Sequence, residues 1–205
     1  MKNKMRYIII GLLFWATNFA FGQSISEPLR NNQYNKLEQE FQSARIDAAR
    51  LPAFEKRAEQ KLKDMFNYIE IISNKAYEED LRKEAMKACL DLFAKGSSIK
   101  SEILSGNKVK TYDCNAFFNG VLKTEFAAIQ ITLSNIKSLD ALVYDESKSA
   151  YTGRLSVHVA VVRKGGQSFV SDYIVDYQVS KQAKKFGSST EQVWTLLLSD
   201  CYLRP

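Results

Sequence analysis

Residues 155–162 read LSVHVAVV, residues 163–167 read RKGGQ, and residues 168–179 read SFVSDYIVDYQV. Side chains on a strand point alternately to its two faces. In the first arm Leu155, Val157, Val159 and Val161 share one face, and Ser156, His158 and Ala160 share the other. The second arm sets Phe169, Ser171, Tyr173, Val175 and Tyr177 against Val170, Asp172, Ile174 and Asp176. Two strands around a glycine pair form a hairpin. Its register decides everything on it, because a slip of one residue inverts every side chain. A two-residue Gly165-Gly166 turn sets Val159 opposite Asp172 and His158 opposite Tyr173. A three-residue Lys164-Gly165-Gly166 loop sets Val157 opposite Tyr173, Leu155 opposite Val175 and His158 opposite Asp172. The longer loop is preferred, since apolar then meets apolar and a glycine supplies the positive φ of the bulge.

The chain has 205 residues and three cysteines, Cys89, Cys114 and Cys201. Residues 1–22 have the form of a secretory signal: Lys2, Lys4 and Arg6, then an apolar run over 7–21, then small residues at Ala20 and Gly22. That run is shorter than the roughly twenty residues a membrane-spanning helix needs. The expected product is cut after Gly22 and is periplasmic or secreted, with no stable membrane span. Lys2, Lys4 and Arg6 supply three of the formal +6 charges, and no acid lies in residues 1–22, so +3 remains afterwards. Such weak basicity without a block of like charges argues against a nucleic-acid partner. Lys181, Lys184 and Lys185 form one small basic cluster, expected in a solvated loop. In an oxidising compartment a Cys114–Cys201 bridge is one option, while Cys89 fits a buried helix face.

Residues 23–51 carry an amphipathic stripe at Tyr34, Leu37, Phe41, Ala44, Ala48 and Leu51, which suits a helix docked on its own domain or an arm for a partner. Residues 52–205 form the expected domain. Pro52 opens a helix whose apolar face is Phe54, Ala58, Leu62, Met65, Phe66, Ile69 and Ile72. A second helix over 78–94 turns Leu81, Ala85, Cys89, Leu92 and Phe93 inward, with Gly96 as its C-terminal cap. A short strand near 98–104 follows, then a small helix capped by Thr111 or Asp113. From Thr124 the chain reads as strands, with Phe186-Gly187-Ser188-Ser189 as a loop before a last strand through 203. Helices ahead of a run of antiparallel strands predict an α+β fold, with the N-terminal helices packed on a curved, mostly antiparallel sheet.

That element order over residues 53–203, with Lys185-Phe186-Gly187 and Val193-Trp194 near the end, resembles small exported members of the nuclear transport factor 2-like superfamily. The resemblance implies a curved sheet wrapped around helices as a cone. It also implies one of two uses: a carboxylate, tyrosine or histidine working inside the cone as an isomerase or hydro-lyase, or passive binding of a ligand or partner. The sheet's other face often serves there as a dimer contact.

No nucleophile elbow, phosphate-binding glycine loop, HExxH or calcium loop occurs, and no Cys/His spacing suits a metal. No catalytic residue, metal or cofactor is assigned. Tyr173, Tyr177 and Trp194 are candidates to line an apolar pocket, with plain core packing as the competing reading. His158, Asp172 and Asp176 fall on the face without the valines and are candidates for a polar pair or an interface. Under the shorter turn the two acids would move to the valine face instead, and catalysis would gain. The expected function is therefore binding of a partner protein or small apolar ligand, with a homodimer through the sheet as one form. A pocket enzyme and a cell-envelope binding module are the alternatives.

Overall fold

The computed structural model describes residues 45–105 and 108–204. The expected signal sequence, its cleavage point and most of the stripe at 34–51 lie outside the described residues. Three helices, α1 (Leu51–Ser73), α2 (Glu79–Leu90) and α3 (Cys114–Leu122), pack on a curved open sheet. Its strands are β1 (Ser98–Ser101), β2 (Lys110–Asp113), β3 (Ile129–Ser138), β4 (Val143–Asp145), β5 (Ala150–Arg163), β6 (Phe169–Phe186) and β7 (Ser189–Leu203). The spatial order is β2-β1-β7-β6-β5-β3, with β4 also on β5, and only the β1–β7 contact is parallel. Among the described residues no helix is long and apolar enough to cross a membrane.

β5 pairs β6 with Leu155 opposite Val175, Val157 opposite Tyr173 and His158 opposite Asp172. This is the register of the three-residue loop. Gly165 has φ +91°, and the Gly166 amide donates to the Arg163 carbonyl at 2.9 Å. The valine face is buried from Leu155 to Val161 and from Tyr173 to Val179, and it packs on α1.

α1 buries Ala58, Leu62, Met65, Phe66, Ile69 and Ile72 of the stripe expected from the sequence, and half-buries Phe54. Pro52 sits in its first turn, where a missing N–H costs nothing. The next stripe was read differently from its structure. Leu81 is half exposed, Arg82 is buried in its place, and α2 stops at Leu90. Residues beyond it leave the helix to bond β7: the Leu198 amide donates to Leu92 O at 2.8 Å and the Ala94 amide to Leu198 O at 2.7 Å. Gly96, with φ +81°, therefore serves a turn before β1 and does not cap the helix. Asp113 does cap α3, accepting from the Ala116 amide at 2.8 Å.

Arg82 explains its own burial. Its Nε donates to Ile72 O at 2.7 Å and its Nη2 to Leu122 O at 2.5 Å. Those carbonyls end α1 and α3, where unpaired C=O groups and the helix dipole favour a cation. One guanidinium thus ties two helix ends together. Hydrogen bonds to charged groups contribute about 1.5–3 kcal/mol each. Arg82→Met is expected to lower the unfolding free energy by about 2–4 kcal/mol in a urea titration, with Arg82→Lys intermediate because one ammonium does not span both carbonyls as a fork does.

Cys89, Cys114 and Cys201 are buried and unbridged, so the Cys114–Cys201 bridge considered above is not formed. Burial pushes the Cys114 thiol up to about 12 and drives those of Cys89 and Cys201 well above the ordinary thiol range. Unionised thiols are poor nucleophiles. The folded protein should therefore react very slowly with a disulfide reagent, and three thiols should appear on denaturation. One thiol in denaturant would instead reveal a bridge.

Candidate functional site

The sheet's outer face, away from α1, carries the polar groups. His158 Nδ1 lies 2.8 Å from Asp172 Oδ1, the two being directly opposed on β5 and β6. Both side chains are about half exposed, at 41% and 53%. An exposed pair of this kind is screened and contributes about 0–1 kcal/mol. Beside it β3 bulges between Ser134 and Lys137, and Asn135 takes φ +53° there. Asparagine tolerates that conformation better than most residues. The bulge opens a cleft of about 300 Å³ bounded by Asn135, Lys137, Ser156, His158, Asp172 and Arg204.

A second cleft, about 530 Å³, lies further along the same hairpin. It is made by an irregularity in β7. Val175 pairs Cys201 but Tyr177 pairs Leu198, so Asp176 faces both Ser199 and Asp200. An extra residue in one strand is a β-bulge, and it re-aims the side chains on either side. Here it lets Leu198 and Cys201 both enter the core while two acids meet outside. Each acid has a partner. Asp176 Oδ1 accepts from the Tyr202 hydroxyl at 3.3 Å, and Asp200 Oδ1 accepts from Ser98 N at 2.8 Å and Ser98 Oγ at 2.9 Å. Asp140, on the rim, takes Arg154 Nε at 2.5 Å. Burial holds the Asp176 carboxyl above the ordinary range, and Asp200 adds to the effect against Tyr202, Arg154 and Lys148. No group of three or more His, Cys, Asp or Glu among the described residues is placed to hold a metal ion.

The three aromatic candidates are separated. Tyr173 is buried, with its hydroxyl 2.7 Å from Ser101 Oγ and its ring edge-on to Phe66 at 6.3 Å. The void beside it measures about 10 Å³, room for about one water. Tyr177 fits a notch left by Gly153, where a Cβ would stand 2.4 Å from the tyrosine Cζ. Its hydroxyl is buried without a hydrogen bond of ordinary geometry, faces Ser138, and is pushed up to about 12 by burial. Trp194 packs at 72° on Tyr151, 5.7 Å away, under the Lys181 ammonium at 5.4 Å. The three do not converge on one hollow.

Sequence reasoning missed the bulge acid Asp200 and the Arg154–Asp140 pair that complete the second cleft. A bulge leaves no periodic trace when its two residues are Ser199 and Asp200, which read as ordinary strand positions. Comparison with protein-family models, curated proteins and solved structures returned no match to this chain.

Because the folded Asp176 carboxyl has a raised pKa, the native state binds its proton more tightly than the unfolded chain does. Its contribution to stability therefore grows as pH falls through that raised value, and levels off below the ordinary carboxylate pKa. Asp176→Asn should remove this slope and be more stable than the parent at neutral pH. Urea midpoints measured from pH 7 to pH 4 check both statements, and an unchanged slope would refute them.

Proposed function

We propose that this chain is a non-catalytic interaction domain whose outer sheet face, uncovered among the described residues, docks a protein, in the first instance a second copy of itself. The observation that supports it is the contrast between the two sides of the hairpin. On the inner side α1 and the valine face leave a void of only about 10 Å³ beside Tyr173. That void holds about one water, which supports docking on the outer face over a small ligand inside. On the outer side Val162 and Val170 are 47% and 58% exposed, Val170 two residues from Asp172 and Val162 four from His158 along their strands. Exposed apolar side chains rimmed by polar groups are the usual make-up of a protein contact.

The resemblance to the nuclear transport factor 2-like superfamily supports the same reading, since that face is often a dimer contact there. The signal-like pattern of residues 1–22 supports a periplasmic or secreted location for such a domain. The pocket-enzyme reading draws its support from ionisable groups inside a cone. His158, Asp172 and Asp176 instead share the outer face, with Asp176 engaged by Tyr202.

Light scattering on the full chain is the test. The parent should be dimeric and Val162→Glu/Val170→Glu monomeric with an unchanged circular dichroism spectrum. A parent that is strictly monomeric, and that retains no protein the double variant loses, overturns the proposal.

A further inference from the structure

Lys181, Lys184 and Lys185, expected in a loop, belong to β6. β6 and β7 continue as a pair well past the last β5 partner. Ala150 pairs Ser180, after which, among the described residues, Lys181–Trp194 through Phe186–Ser189 pair only with each other. These six pairs span about 20 Å at the usual rise per residue. Residues 183–192 are all exposed on both strands. The end of the hairpin is therefore a free two-stranded finger, rooted where Trp194 sits under Lys181 and against Tyr151.

The finger ends in an aromatic. Phe186 is 53% exposed at the turn, where Gly187 takes φ +60°. Lys184 and Lys185 precede it directly. Charge gathers at the base as well: Lys61 on α1 lies within electrostatic range of both Arg57 and Lys184, and that repulsion adds to burial in pulling its ammonium down. Lysines on an unpaired strand edge also discourage edge-to-edge association. That role explains the lysines but gives no reason to leave a phenylalanine bare at the apex. Glu191 stands directly opposite Lys184, so residues 181–194 carry three lysines and one acid, and pairing two copies through their β6 edges brings the lysines together. A surface that is negative and has an apolar interior matches both features, since polybasic segments are drawn to anionic leaflets and aromatics settle at the interface.

We propose that the β6–β7 finger docks on an anionic lipid bilayer, with Phe186 entering the interface and Lys184 and Lys185 meeting the headgroups. This contact uses neither Val162 nor Val170, so it stands or falls apart from the sheet-face proposal. The probe is vesicles of phosphatidylglycerol, with phosphatidylcholine vesicles as the neutral arm. Residues 7–21 are apolar in their own right. The full chain is therefore compared with its own variants, and the contact is located by hydrogen exchange. Protection confined to residues 183–192 is expected with the anionic vesicles only, weakening at high salt. Lys184→Gln/Lys185→Gln should lower partitioning by about fivefold for each lysine removed. Phe186→Ser should abolish the protection without changing the circular dichroism spectrum. Exchange at 183–192 that ignores the vesicles, equal protection on neutral lipid, or protection that survives both variants overturns the proposal. Protection of this segment that depends on protein concentration without vesicles overturns it in favour of finger-to-finger pairing.

Discussion

The pairing of β5 with β6 is the constraint on which the other features rest. From Ala150 opposite Ser180 to Val161 opposite Phe169, every pair sorts one residue inward and its neighbour outward. In this register Val157, Tyr173, Leu155 and Val175 join the face that α1 covers, and His158 and Asp172 meet in solvent. Shifted by one, β6 would bring Asp172 and Asp176 to the face that α1 covers, at a desolvation cost no partner there offsets. The turn glycines and the alternating arms therefore fix core and surface together.

Much of this was legible from the order of residues. Period-two arms and the long stripe of α1 carry strong local signals, and the structure keeps both in the phase their residues imply. The failures have physical causes. Leu81 and Arg82 exchange roles because the carbonyls Arg82 reaches, Ile72 and Leu122, lie 10 and 40 residues away in sequence. A local pattern has no access to them. α2 ends early because β7 offers Leu92 and Ala94 hydrogen bonds from across the fold. The lysines of β6 look like a loop because nothing apolar alternates with them. They are a strand through backbone pairing to β7 alone.

The candidate site was half legible. The hairpin residues that face outward followed from register. The cleft they border did not, because it depends on two irregularities, the bulge at Asn135 and the extra residue opposite Asp176. Both change where side chains aim without changing which residue types are present. Tyr173, Tyr177 and Trp194 show the opposite limit: composition suggests a pocket, and packing distributes them among Ser101, Gly153 and Tyr151.

α1 has a second role besides filling the concave side. β3 is the outermost strand on its side of the sheet, and the helix takes two amides at its start: Ser73 Oγ accepts from Ile129 N at 3.0 Å, and Glu70 Oε1 accepts from Ile131 N at 2.5 Å. Further along, Glu55 Oε1 accepts from Leu142 N at 3.2 Å. A bare outermost strand is a template on which other chains stack. Here the shield precedes the hazard in the order of synthesis. A ribosome that makes α1 first has the Ser73 and Glu70 acceptors waiting when β3 appears, so the start of that strand meets its cover as soon as it is made.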